Sequence, residues 1–237
     1  MKRILTTLSQ KWPEYLLEMI VITAGILGAF MLNSWHEENK GRLEGEDIAR
    51  NLNTEFKKNQ IELVRLQNLN ERTFQVGIDL MELVGLTKQE LVQHNIDSLL
   101  FYVLEVDPYI PSQYSLSDLS NSGRLQLLQN DSLKELIYEW QGAYGQMREE
   151  FKGLDVKVEN DLVPYLVQNY SMKNLDRFGP LAWSSKSKLA IDKYAIFQDI
   201  VFENQLDDLL YRIKTYGNAL NKIYTIQAKV IEQTGNL

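Results

Sequence analysis

The sequence predicts an all-α protein in which one N-terminal transmembrane helix continues into a bundle of about four long helices, with a small helical and loop insertion. Two observations predict this class. From Tyr15 to Trp35 the chain has 21 residues and a single charge, Glu18. Beyond that run, apolar residues recur at intervals of three, four and seven, the spacing of amphipathic helices. The predicted units are an N-terminal segment (1–12), a membrane helix (13–36) and a helical body (37–237).

The apolar run has the dimensions of a membrane span. At about 1.5 Å per residue it is roughly 30 Å long, which matches the hydrocarbon core of a bilayer. Trp12 and Trp35 stand near its ends, where interfacial aromatic side chains concentrate. Three basic side chains precede the run and two acidic ones follow it directly: Lys2, Arg3 and Lys11, then Glu37 and Glu38. The positive-inside rule therefore predicts a single-pass protein with a cytoplasmic N-terminus and an exported body.

Two other interpretations of the apolar run are a cleaved signal peptide and the buried helix of a soluble protein. The uninterrupted stretch Met19–Leu32 has 14 residues, which suits a signal peptide. However, the sequence MLNSWHEE at its end contains no small-x-small cleavage site. We therefore favour a retained anchor.

Glu18 lies on a face of the membrane helix that also carries small residues. Steps of about 100° per residue place Gly25, Ala29 and His36 within roughly 20° of it. Two pairs have the small-xxx-small spacing that lets another helix approach closely, Ala24 with Gly28 and Gly25 with Ala29. An alternative is that Glu18 reaches the lipid headgroups or Lys11. The predicted membrane-helix interface consists of Glu18, Ile22, Gly25, Gly28 and Ala29.

The body is predicted to begin with a long amphipathic helix. Its apolar residues run from Ile48 to Met81, and no proline interrupts residues 14–107. We expect it to continue the membrane helix, with or without a break near Gly41–Gly45.

Prolines and capping signals divide the rest of the body. Pro108 and Pro111 predict extended chain at 107–111, because each restricts the residue before it. A capping box at Thr87–Glu90 is expected to open a helix that runs to about residue 105. Short helices are expected at 117–121 and 124–129, followed by a long helix that Asn130 or Asp131 caps and Pro164 kinks or ends. A connection at 171–188 then leads to a final helix at about 189–233, with a weak break near 199–203.

The composition excludes several kinds of site. The formal net charge is −7, and residues 36–237 carry 22 basic and 30 acidic side chains, so we expect no nucleic-acid partner. The chain has no cysteine, which excludes disulfides and thiolate metal sites. His36 and His94 have no partner at typical metal-ligand spacing, and no phosphate-binding or nucleophile motif occurs. We expect no metal, no cofactor and no catalytic residue.

Aromatic residues beside the proline segment suggest a recognition surface. Tyr109 and Tyr114 flank this segment and fall outside a clear helical period. With Ser122, Gly123 and Arg124 they form the predicted recognition surface. The alternative is structural: Gly123 ends a helix and Tyr114 packs on the edge of the bundle.

Two stretches of the chain carry a family resemblance. The first is EMIVITAGILGAFMLNSWHEENK, with Glu18, Gly25-Ile26-Leu27, Trp35 and Glu37. The second is YSLSDLSNSGRLQLLQNDSLKELIYEW, with Tyr114, Leu119, Ser122-Gly123, Leu125 and Leu133. Together they resemble a family of uncharacterised bacterial single-pass membrane proteins. This resemblance implies an N-terminal anchor and a helical body, and it brings no activity, ligand or catalytic residue.

These observations favour a non-enzymatic, membrane-anchored helical protein. Its partners are expected to be the lipid bilayer and either a membrane or periplasmic protein or a second copy of the chain. A periplasmic bundle that senses a ligand and signals through a membrane partner is the first alternative. An enzyme acting on the cell wall is the second, and it requires carboxylates brought together from separate helices.

Overall fold

Three long helices build the body: α1 (Lys2–Leu83), α5 (Asp131–Lys157) and α8 (Ile200–Gly235). The computed structural model describes the backbone of residues 2–235 and the side chains of residues 12–235. The described residues form no strand, so the predicted all-α class is confirmed. The shorter helices are α2 (Lys88–Leu91), α3 (Ile96–Tyr102), α4 (Tyr114–Ser122), α6 (Val163–Asn169) and α7 (Met172–Leu175), with 3₁₀ turns at Arg124–Leu127 and Ala195–Gln198.

Side-chain contacts give the directions of the long helices. Asn53 of α1 donates to Thr234 near the end of α8, whereas Gln67, farther along α1, donates to Asn221. Thus α8 runs antiparallel to α1. Lys157 at the end of α5 pairs with Asp208 near the start of α8, so α5 also runs antiparallel to α8. We call the end of the body nearest the apolar run its base, and the end at Leu83 its distal end.

The core lies between these helices and does not include the apolar run. It begins at Ile48 and ends at Val230 in the described chain. Trp140 is fully buried at its centre, where its ring lies 5.4 Å from that of Phe56 and stacks 5.1 Å from that of Tyr144. Because burial of apolar surface is the main driving force of folding, the body's stability comes from residues 48–230.

The prediction of about four long helices is not borne out. Within residues 2–235 three helices exceed 20 residues, and residues 105–113 return along α1 as extended chain. Thr73 Oγ1 donates to the carbonyl of Glu105 (2.9 Å), and Asn59 Nδ2 donates to that of Ser112 (2.8 Å). Pro108 and Pro111 cause this conformation, as predicted, because neither supplies an N–H and both restrict their predecessors. The extended segment carries the chain from the distal end back to the base.

Several helix boundaries differ from the predicted ones. The capping box is confirmed, since Thr87 N–H donates to Glu90 Oε2 (2.8 Å), but its helix ends at Leu91 and α3 begins a separate helix. The predicted second short helix is the 3₁₀ turn Arg124–Leu127. The last helix begins at Ile200 and not near residue 189, because Asp199 Oδ1 accepts the N–H of Val201 and starts the helix there.

Pro164 alters the helix that contains it. A π-helical turn, Val158–Leu162, joins α5 to α6 just before this proline. A proline inside a helix clashes with the carbonyl four residues earlier, and a wider turn relieves that clash. The helix therefore continues to Asn169, and the connection that follows begins near Ser171, as predicted.

Replacing Asn130 with alanine is expected to lower the free energy of unfolding by about 1 kcal/mol. Asn130 Oδ1 accepts the N–H of Leu133 (3.1 Å), which confirms it as the cap of α5. Denaturant unfolding of the full chain in detergent measures the change. Asn130→Asp is the control, because aspartate also caps a helix; equal losses in both variants would contradict a capping role.

Candidate functional site

A cleft of about 370 Å³ opens between α1 and α4 at the base of the body. Its volume lies in the range of small-ligand sites, about 300–1,000 Å³. Ile48, its first residue along α1, is 13 positions beyond Trp35, or roughly 20 Å along the helix. The polar lining consists of Asn51, Thr54, Glu55, Lys58, Ser112, Ser115 and Asp118, with Tyr114 at one side.

A close backbone approach fixes α4 and the turn after it on α1. A Cβ atom at Gly45 would overlap the carbonyl oxygen of Leu127, and one at Gly41 would lie 3.7 Å from the Leu127 side chain. Gly41 and Gly45 therefore do not break α1, which is continuous here. Only glycine lets the two backbones come this close.

Two polar side chains of α1 hold the start of α4. Glu55 accepts the N–H of Ser115 (2.7 Å) and the hydroxyl of Ser112 (3.1 Å). Asn59, one turn later, accepts the N–H of Ser112 (2.9 Å) and donates to its carbonyl (2.8 Å). Neither residue was predicted from the sequence, although a signal existed. They fall within the buried stripe of α1, beside Phe56, where a polar side chain needs a partner.

The expectation that Tyr109 contributes to a surface is wrong. It is 2% exposed, and its hydroxyl accepts a hydrogen bond from Gln227 Nε2 (2.6 Å). The hydroxyl of Tyr216 accepts the N–H of Tyr109 (3.1 Å) and donates to the carbonyl of Asp107 (3.0 Å). Burial raises the pKa of both tyrosines, so both hydroxyls stay neutral. Extended chain has no helical period, so the direction of this ring could not be predicted from the sequence.

The other predicted surface residues lie on α4 and the turn that follows it. Tyr114 is 84% exposed, so it does not pack on the edge of the bundle. Gly123 has φ +68° and ends α4, as predicted. The hydroxyl of Ser122 donates to the carbonyl of Asp118 (2.6 Å), and Arg124 bonds both of these side chains. The structure thus brings Tyr114, Ser122, Gly123 and Arg124 onto one small unit.

The predicted membrane-helix interface lies on α1 ahead of the body. No side chain between residues 12 and 38 is buried, and this part of α1 is long and apolar enough to cross a membrane. Added Cβ atoms at Gly25 and Gly28 would meet nothing within 4 Å. Glu18, Ile22 and Ala29 are likewise exposed on this helix. Lys2, Arg3 and Lys11, on which the predicted orientation depends, lie outside the described side chains.

The carboxylates of the cleft already have partners. Glu55 bonds the start of α4, and Asp118 pairs with Arg124. Both oxygens of Glu55 take part in these contacts, and Asp118 pairs through Oδ2. Among residues 12–235, no group of three His, Cys, Asp or Glu side chains is placed to hold a metal ion.

A second polar cluster lies at the distal end, and it was not predicted from the sequence. Asp97 is 1% exposed, accepts the Tyr170 hydroxyl (2.6 Å) and pairs with Lys186 (3.0 Å). Burial acts to raise its pKa, but the bonds from Tyr170 and Lys186 and the charge of Lys193 outweigh burial and hold it below the usual value. In the sequence Asp97 is merely an acid in the first turn of a helix, and its partners lie 73 or more positions away.

Comparison of the chain with family models, curated proteins and solved structures found no match.

Proposed function

We propose that this chain is a non-enzymatic protein of the bacterial inner membrane that binds a membrane or periplasmic protein, or a second copy of itself, at two neighbouring surfaces. One surface is the membrane-helix interface of Glu18, Ile22, Gly25, Gly28 and Ala29. The other is the exposed face of α4 with Tyr114 and Arg124. The observation that carries the proposal is the unbroken course of α1 from Glu18 to Gly45. The N-terminus would be cytoplasmic and the body periplasmic.

The unbroken course of α1 supports the proposal that the two surfaces are neighbours. Ten residues separate Trp35 from Gly45, which is roughly 15 Å of helix. A partner that crosses the bilayer beside Gly25 would therefore leave it next to α4. Tyrosine and arginine are over-represented among residues that dominate binding energy, and the exposed Tyr114 and the partly exposed Arg124 suit such a contact. The resemblance to single-pass proteins agrees with this arrangement.

Single-cysteine variants are expected to locate the contact, because the chain has no cysteine of its own. Gly25→Cys and Ala29→Cys, carrying a thiol-linked photocrosslinker, should capture a protein partner or a second copy in native membranes. Leu27→Cys is the matched control, since it lies about 180° from Glu18 on the helix. Glu18→Leu, added to Gly25→Cys, should reduce the captured product several-fold, because it removes the polar group of the stripe.

Two results would contradict the proposal. Equal capture from Leu27→Cys and Gly25→Cys would show that no face of the helix is preferred. An unchanged set of products after Glu18→Leu would remove this residue from the interface. Tyr114→Cys reports on the second surface in the same membranes.

The cleft at the base favours ligand sensing as a second candidate function. It has a volume of about 370 Å³ and exposes Lys58, Thr54 and Asn51 on α1, the helix that leads to the membrane. A ligand bound there would also touch α4, so its binding would bear on the proposed surface. A panel of amino acids, sugars and nucleotides that leaves the melting temperature of the full chain unchanged would contradict this function.

A further inference from the structure

Large apolar side chains are exposed on the distal segment, which we define as residues 171–193. Trp183 is 46% exposed and Leu189 is 83% exposed, and Leu181 and Ile191 are also exposed. Lys173 Nζ lies 5.5 Å from the centre of the Trp183 ring, and Arg177 Nε donates to the Trp183 carbonyl (3.4 Å). One cationic group thus lies over an exposed indole, and a second bonds the backbone of the same residue.

The charge of the distal segment is opposite to that of the rest of the body. The segment carries five basic and two acidic side chains, whereas the remainder of residues 36–237 carries 17 basic and 28 acidic ones. In the described part of the chain, Lys186 is the one member of these five that pairs with a buried carboxylate, that of Asp97. The segment is therefore a basic, apolar surface on an acidic body, and it favours an anionic partner with an apolar phase.

Contacts with the rest of the body hold the backbone of the distal segment in place, so these side chains project from a fixed backbone. Asn174 Oδ1 accepts the N–H of Ser187 (2.8 Å), and Asp97 holds Lys186. A Cβ atom at Gly179 would lie 2.7 Å from the Phe101 ring, so the segment also packs tightly on α3. Ala182, between the exposed Leu181 and Trp183, has φ +44° and is the non-glycine residue with positive φ among residues 2–235. Such a conformation is strained, and strained residues cluster at functional sites.

We infer that the distal segment binds the surface of an anionic phospholipid bilayer. Trp183 and Leu189 enter the headgroup boundary, where indole and aliphatic side chains are favoured. Lys173, Arg177 and Lys188 attract the anionic headgroups, each basic residue adding about a fivefold preference at the surface. An acidic protein would pair with the basic side chains of the distal segment, but it would not account for the exposed tryptophan and leucine beside those side chains.

The bilayer bound in this way is not the one that α1 enters. From Trp35 to Leu83 the helix rises roughly 70 Å, so the distal end points away from the membrane of the anchor. The chain would therefore connect two facing lipid surfaces. This inference goes beyond the proposed partner binding and concerns the opposite end of the molecule.

Vesicle capture by the full chain in nanodiscs tests this inference. Discs of phosphatidylcholine hold the protein, and separate vesicles of phosphatidylcholine with or without phosphatidylglycerol are floated with them. We expect capture only of the vesicles that contain phosphatidylglycerol, and weaker capture at high salt. Trp183→Ser and Lys188→Glu should each weaken it about tenfold or more.

The controls are exposed residues of α1 that lie away from the distal segment. Ile61→Ser removes an exposed apolar side chain and Lys57→Glu reverses an exposed positive charge. Both should leave capture unchanged. Absence of capture by the unmodified chain, or equal losses in the control variants, would overturn the inference. Entry of the chain into the discs and the crosslinks from Gly25→Cys report on the anchor separately, so a failure here is distinct from a failure of the proposed function.

Discussion

Replacing Gly45 with alanine is expected to detach α4 from the base of the body. The new methyl group would overlap the carbonyl oxygen of Leu127, and a backbone atom cannot move aside as a flexible side chain can. Overpacking of this kind costs about 1–3 kcal/mol. Alanine also favours helix by about 1 kcal/mol over glycine, so a net loss of stability would isolate the steric effect.

Hydrogen exchange and crosslinking measure the result together. Amide protection should fall at residues 114–128 and persist in α5 and α8. Capture of a partner from Tyr114→Cys should fall several-fold, while capture from Gly25→Cys continues. The matched control is Gly142→Ala, since a Cβ atom there meets nothing within 4 Å. If Gly45→Ala behaves like Gly142→Ala, the close approach does not hold α4.

Replacing Asp97 with alanine is the second change with a large expected effect. It leaves the buried hydroxyl of Tyr170 without its acceptor, which costs about 1–3 kcal/mol. It also releases Lys186, whose half-exposed ion pair contributes about 1 kcal/mol or less. Denaturant unfolding should therefore show a loss of about 1–4 kcal/mol. The distal segment should lose amide protection, and vesicle capture should weaken with it.

Asp97→Asn separates the charge from the hydrogen bond and predicts a pH dependence. Because folding lowers the pKa of Asp97, its charge stabilises the fold above the unfolded pKa of about 3.9, and this contribution is lost as the pH falls through the folded pKa. The stability difference between the natural chain and Asp97→Asn should thus be full near pH 6 and vanish in strong acid. Asp207→Asn, an exposed change on α8, should show no such trend; a constant difference for Asp97→Asn would refute the charge effect.

The sequence was sufficient to predict the features that depend on residues close together in the chain. The helical class, the capping box at Thr87, the cap at Asn130 and the helix stop at Gly123 each follow from local residue chemistry. The extended chain at Pro108 and Pro111 follows in the same way. Each of these sequence signals determines the conformation of residues only a few positions away.

The sequence was insufficient where two distant segments meet. The glycines at 41 and 45 left open whether α1 breaks there, yet Gly45 serves a close contact with Leu127, more than 80 positions away. The direction of the Tyr109 ring depends on Gln227, and the burial of Asp97 depends on Tyr170. The residues of the proposed membrane-helix interface could be predicted from the spacing along one helix. The position of α4 beside that helix could be seen only in the folded structure.

The position of α8 in the chain sets when the body acquires its core. This helix packs along both α1 and α5, and it is made after them. At roughly 5–20 residues per second, ribosomes need about 8–30 s to proceed from residue 83 to residue 235. During that interval the part of the apolar stripe of α1 that α8 covers has no permanent partner. The core of the body is therefore completed only once α8 has been made, and a nascent chain that stops before Ile200 exposes apolar stripes of α1 and α5 to chaperones and proteases.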